Sequence, residues 1–181
     1  MTEAHRRKKN PEQVRQAIVE AAIHQGMDGG LPSISLDKVA AAAGVTKGGL
    51  LHHFSTKQAL LDATIDHLLG EVQLMVDRLI AGDDDEHGRF TRAYVKLSFD
   101  ETMPDRGWTV LWASVLTDPA FSKFWDRWIA AQLDLHGERP DDPALQAARY
   151  AADGVWAATL TQSAPTNLQA LRDHIVAMTR G

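Results

Sequence analysis

Cysteine is absent from the 181-residue chain, so disulfides, thiolate metal sites and thiol redox sensing are excluded. Long apolar runs are missing too. Nothing approaches the ~18 to 20 residues that span a bilayer, and the basic cluster Arg6 to Lys9 lacks the apolar segment of a secretory signal. A cytoplasmic protein with no membrane partner is the expectation. Eight histidines are present, but none has the His-Glu-x-x-His or Glu-x-x-His spacing that puts two ligands on one helical face, so no metal or other cofactor is implied. Ser35 to Lys38, "SLDK", has the Ser-x-x-Lys form of some acyl-transfer enzymes without their companion motifs. An enzyme is therefore not expected. Repeats, low-complexity tracts and convincing strands are also lacking, which leaves an all-α chain long enough for two helical units.

What is present is unevenly distributed. The net charge of −5 divides into +3 over residues 1–57, with eight Lys/Arg against five Asp/Glu, and −8 over the rest. A basic head on an acidic body suits a nucleic-acid reader with a separate sensing unit. Within the head, the segment Ser35 to Lys57, "SLDKVAAAAGVTKGGLLHHFSTK", reads as two short helices joined by a tight turn. Ser35 is expected to cap the first through its hydroxyl. Gly44 ends that helix in the left-handed conformation, Val45 plugs the turn, and Thr46 caps a second helix from Lys47 to Phe54. An ordinary core hairpin would not carry Lys47, Gly48, Gly49, His52 and His53 within seven residues, because interior glycine alone costs about 1 kcal/mol against alanine. A helix-turn-helix explains the pattern better.

The stretch from Ile18 to Ala63 resembles the DNA-binding domain of the tetracycline-repressor (TetR/AcrR) family of bacterial transcriptional regulators. Ile18, Ala21 and Ala22 fall on its first helix, Gly30 on the glycine that ends it, "GVTKGGLLHHF" on the turn and recognition helix, and "STKQALL" on the start of the fourth helix. The resemblance implies phosphate contact by Lys57. Three departures stand out: Gly26 where the family commonly has an aromatic, Leu31 where an aromatic often follows the glycine, and Leu51 where a phosphate-binding tyrosine is usual. The first two are expected to weaken a small core. From the residues themselves, Thr46 and Lys47 offer a hydroxyl and a charge to phosphate, Gly48 and Gly49 permit close backbone approach, and His52 or His53 can donate to phosphate or base; with Lys57, Ser35 and Leu51 they make up the candidate DNA-binding set. Arg6 to Lys9 form either an arm or a plain tail. No Arg, Asn or Gln in the recognition helix offers a bidentate base contact, so DNA shape is expected to carry much of the specificity.

Beyond the head, Lys57 to Ile80 is expected as a long bridging helix with Leu60, Leu61, Thr64, Leu68, Val72, Met75, Val76 and Leu79 inward. "GDDDEHG", Gly82 to Gly88, is expected as a solvated acidic loop. Further helices are placed at 89–101, 105–116, 119–135, 143–161 and 167–178, punctuated by prolines. All five tryptophans lie in this region. Trp108 and Trp112 share one helix face, and Phe121, Phe124, Trp125 and Trp128 share another. These aromatics form either a core or the lining of an apolar cavity. Tyr94, Phe99, Met103, Trp108, Trp112, Trp128, Trp156 and Thr159 are the candidate lining.

The final two helices offer a second surface. Ala144, Ala147, Ala148, Ala151, Ala152, Val155 and Leu160, with Leu168, Leu171, Ile175 and Met178, would pair with a second subunit, and "DGVW", Asp153 to Trp156, resembles the family's penultimate helix. The expectation is an all-α chain with a three-helix DNA-binding domain at 1–57 and a helical effector-binding and dimerisation domain at 58–181. Its function would be that of a homodimeric regulator, most simply a repressor of a palindromic operator released by a small apolar or aromatic effector. A helical interaction module without specific DNA binding is the alternative.

Overall fold

The computed structural model describes residues 10–100, 106–160, 163 and 165–181. Nine helices occur among them: α1 (Pro11–Gly29), α2 (Leu36–Ala42), α3 (Lys47–His53), α4 (Lys57–Ala81), α5 (Arg89–Ser98), α6 (Arg106–Thr117), α7 (Pro119–Leu135), α8 (Pro143–Leu160) and α9 (Leu168–Met178), with one 3-10 turn at Leu31–Ser33. No strand occurs among the described residues. The start and stop signals act locally. The Asn10 side chain accepts from Glu12 N–H ahead of Pro11, and Gly30 leaves α1 at φ 75°. The helix expected over 89–101 closes at Ser98, where the N–H groups of Phe99 and Asp100 turn back to the carbonyls of Lys96 and Leu97.

Helices α1 to α3 surround Ile18, Ala22, Leu31, Val39, Leu50 and Phe54, all buried. The core continues along α4 through Leu60, Ile65, Leu68 and Val76 into the body, where α5 contributes Phe90 and Val95, and α6 Leu111 and Val115. Both helix α4 and the packing of α6 on α1 join head to body. Neither Gly26 nor Leu31 weakens the head as the sequence suggested. Leu31 is fully buried, and Leu111 from α6 fills the space beside Gly26, where an added Cβ would fall 2.7 Å from Leu111 Cδ1.

The acidic loop is solvated only in part: Asp84, Glu86 and His87 are exposed as its composition suggests, while Asp83 turns inward. Arg92, fully buried on α5, donates to Asp83 at 2.6 and 2.9 Å, to the carbonyl of Asp85 at 2.6 Å, to that of His87 at 2.9 Å and to that of Thr179 at 3.1 Å. A buried guanidinium needs its donors matched, so the loop wraps it and the chain's last turn closes over it. The hydrogen bond from Arg92 holds the Asp83 carboxyl well below the usual carboxylate range, against the opposing effect of burial. Gly88, at φ 63°, sits where a Cβ would lie 2.3 Å from the Thr179 carbonyl oxygen. It supplies no side-chain cap to α5. Glu138 does that work from a distance: its buried carboxylate accepts from Phe90 N–H at 2.7 Å and Thr91 N–H at 3.1 Å, at the positive end of the helix dipole. Arg149 completes the network, donating to Thr91 Oγ1 at 2.7 Å.

Candidate DNA interface and ligand cavity

Helix α2 ends in a Schellman closure, with Val45 N–H bonded to Ala40 O and Gly44 N–H to Ala41 O, and Gly44 at φ 66°. Thr46 then caps α3, accepting from Gly49 N–H at 3.0 Å. Ser35 occupies the cap position of α2, but its hydroxyl makes no capping bond. Its N–H instead donates to Gln25 Oε1 of α1 at 3.0 Å, which fixes the entry to α2.

Leu50 anchors α3 in the core, and the rest of the helix is largely open. The two glycines differ. A Cβ on Gly49 would press within 3.3 Å of the Thr46 hydroxyl, so that glycine protects the cap; a Cβ on Gly48 would meet nothing nearer than 4.0 Å. Nothing within the protomer requires glycine at 48. Leu51 is exposed, His52 exposed and His53 half-buried, the two rings edge-on at 5.6 Å. The cations are already engaged: Lys47 pairs with Asp37 at 3.0 Å, and Lys57 donates to the Pro32 carbonyl at 3.0 Å. Arg15, not anticipated from the sequence, lies over the Phe54 ring at 4.8 Å and adds a guanidinium beside the end of α3. Only the packing of α1 beside the end of α3 reveals this neighbour. Arg6 to Lys9 lie outside the described residues.

In the body, a cavity of about 550 Å³ lies between α5, α7 and α8. Tyr94 of α5 lines it, with Trp125, Asp126 and Asp134 of α7, and Arg149, Tyr150 and Asp153 of α8. Burial raises the Tyr94 hydroxyl well above its usual pKa, with the Asp153 carboxylate beside it adding to the rise. That hydroxyl donates to Asp153, whose own pKa is pushed up by burial against the effect of this bond. Of the aromatics expected as lining, Tyr94 reaches the cavity. Trp112 and Trp128 stand behind Trp125, with centroids at 5.5 and 5.1 Å, and Trp128 donates from Nε1 to Gln73 at 2.8 Å. Trp108 and Trp156 are half-buried against the core, and Phe99 lies on a separate groove beside α9. Met103 and the side chain of Thr159 lie outside the described residues. Trp125 was missed as lining although its spacing with Ile129 and Leu133 was readable.

Two family models match the chain. "Bacterial regulatory proteins, tetR family" spans residues 18–64, and "Tetracyclin repressor-like, C-terminal domain" spans 88–180. Among curated relatives, the HTH-type transcriptional regulator BetI of Pectobacterium atrosepticum is 31% identical over 155 residues, covering 78% of this chain and 80% of that protein. BetI of Ectopseudomonas mendocina is 31% identical over 157 residues, covering 79% and 80%. Among solved structures, a TetR-family member from Streptomyces coelicolor superposes with a TM-score of 0.73 at 22% identity, covering 93% of this chain and 99% of that one. The chain belongs to the TetR family of transcriptional regulators. That family binds DNA and small-molecule ligands and acts as dimers.

In this TetR-family chain the two units meet at a specific joint. Besides the Leu111–Gly26 contact, Ser114 of α6 accepts from Leu31 N–H at 2.9 Å, next to Gly30, where a Cβ would fall 2.8 Å from Ser114 Cβ. A hydroxyl from the body thus satisfies a backbone donor at the end of the head's first helix. On α8 and α9, Ala148, Ala152, Val155 and Ile175 are buried within the protomer, so they are unavailable to a second subunit. Ala144, Ala147 and Gly154 remain outward. Among the described residues, no helix is long and apolar enough to cross a membrane.

Proposed function

We propose that this regulator is a cytoplasmic repressor that binds a palindromic operator as a dimer and releases it when a small molecule occupies the cavity between α5, α7 and α8. Functionally we divide the chain at residue 57. Thr46, Lys47, Gly48, Leu51, His52, His53 and Lys57 face the DNA, with Arg15 alongside. The observation that carries the reading is the continuous packing from cavity to head. Trp125 lines the cavity and meets Trp112 edge-on; Trp112 neighbours Leu111, and Leu111 sits in the notch at Gly26. A ligand that prefers one placement of α6 would bias α1, and with it the spacing of two recognition helices set for half-sites ~34 to 36 Å apart. Gly70, mid-way along α4 with nothing within 4 Å of its Cβ position, gives the bridging helix a soft point. A neighbour of the same fold, the multidrug-binding protein EbrR, has been crystallised with malachite green and with ethidium.

For the dimer, α8 and α9 supply the face. Ala144, Ala147, Ala151 and Gly154 recur three and four apart. Gly154 lies inside a helix, at a cost of about 1 kcal/mol, yet nothing in the protomer approaches it within 4 Å; close approach by a second helix gives that glycine a use. Selection of bound sequences from a random DNA pool at two salt concentrations tests the reading. An inverted repeat is expected, with affinity falling steeply as salt rises. Absence of enrichment by a folded dimer would favour the interaction module instead.

A further inference from the structure

We propose that the cavity between α5, α7 and α8 selects organic cations over neutral or anionic molecules of the same shape; this rests on reading the cavity as the effector site. Its charge is one-sided. Four carboxylates line it, from Asp126, Asp134, Glu138 and Asp153, against the single guanidinium of Arg149. That guanidinium is committed internally: it donates to Thr91 Oγ1 at 2.7 Å and to the Pro140 carbonyl at 3.3 Å, and stands 3.8 Å from Glu138. Glu138 in turn is held by the start of α5. Removing this matched pair leaves three aspartates. Asp126 and Asp134 are eight residues apart on α7, about two turns, and their side chains form no hydrogen bond or ion pair among the described residues. Asp153 faces them from α8 with Tyr94 as its donor.

The apolar part of the lining is of the matching kind. Tyr94, Trp125 and Tyr150 bring three electron-rich rings to one space, and ring faces attract a cation. An anion entering here would meet three carboxylates and no uncommitted cation among the lining side chains. A neutral molecule would gain nothing from the charge of those carboxylates. A quaternary or delocalised cation with aromatic substituents satisfies both halves of the lining, and three like charges along one groove raise the local concentration of cations.

Tetraphenylphosphonium and tetraphenylborate share one shape and carry opposite charges, so isothermal titration of the purified dimer with each separates charge from fit. The cation is expected to bind at least about tenfold more tightly than the anion. Asp126→Asn with Asp134→Asn should cut that preference about fivefold or more, and Tyr150→Ala, removing a side chain that is 67% exposed, should weaken the cation several-fold without disturbing the core. Far-UV circular dichroism confirms that each variant is folded. Equal or tighter binding of the borate, still weakened by Tyr150→Ala, would overturn the charge selectivity and leave the cavity standing as a ligand site. Binding of neither ion, or binding that ignores all three substitutions, would overturn the cavity reading itself.

Discussion

The head and the body of this molecule handle polar groups in opposite ways. In the head, hydrogen-bonding side chains work at short range and near solvent: Thr46 caps α3, Thr56 caps α4 through Ala59 N–H, and the Lys47–Asp37 pair is exposed on both sides. The body, whose other described charges are exposed or half-buried, also buries two charged clusters. Arg92 is fully enclosed by groups from both sides of the α4–α5 connection and from the end of the chain, and Glu138 reaches back more than forty residues to serve α5. Charges kept near water, as at Lys47 and Asp37, exchange partners at little cost. Buried, matched charges instead fix the body's helices, because each tolerates one arrangement of its neighbours.

The sharpest way to break this contrast is Arg92→Leu, which takes the guanidinium from Asp83 and leaves it only Lys96 at 3.5 Å as a cation, while the loop carbonyls and Thr179 that Arg92 held lose their donor. A loss of about 3 to 5 kcal/mol is expected, read by urea denaturation, against less than ~1 kcal/mol for Lys47→Ala at the exposed pair. The acid limb of stability sharpens it. Because the folded pKa of Asp83 lies below the unfolded value near 3.8, its contribution is complete above that value and is lost as pH falls below it. In Arg92→Leu this part of the pH dependence should flatten. Next in size is Gly26→Val, which drives a side chain into Leu111 and should cost about 1 to 3 kcal/mol; operator affinity measured by fluorescence anisotropy should fall with it, because the head is displaced from the body. An unchanged affinity would detach the joint from function. Thr46→Ala should cost about 1 kcal/mol through the lost cap and weaken operator binding while leaving the tryptophan emission of the body unaltered. Gly70→Ala is the smallest, a gain of up to about 1 kcal/mol in thermal stability, with the concentration of effector needed for release rising as α4 stiffens.

Much of the head was legible from neighbouring residues. Asn10–Pro11, Gly30, Gly44 and Thr46 each act within a few positions along the chain, and each does what its chemistry suggests. Ser35 failed as a side-chain cap because Gln25, ten residues earlier, engages its backbone; that partner is set by the crossing of α1 and α2. Composition gave half of the acidic loop, since Asp84 and Glu86 are exposed. Four consecutive acids read as solvated, and nothing local reveals that Arg92 turns inward and draws Asp83 with it. In the cavity, the aromatic spacing on α7 was visible, yet whether a tryptophan lines a space or fills one depends on the helix opposite. Trp125 lines it, and Trp112 and Trp128 pack behind.

The sequence by itself determined the helices, their ends and the small, capped, glycine-bearing recognition helix, because those depend on groups within one or two turns of each other. Tertiary structure alone decided that Leu111 fills the gap at Gly26, that Glu138 caps α5, and that three aspartates and three aromatic rings share one cavity. These are contacts between residues 47 to 85 positions apart in the chain, or more loosely between whole helix faces. Their partners are chosen by how helices cross, and no local pattern records that choice.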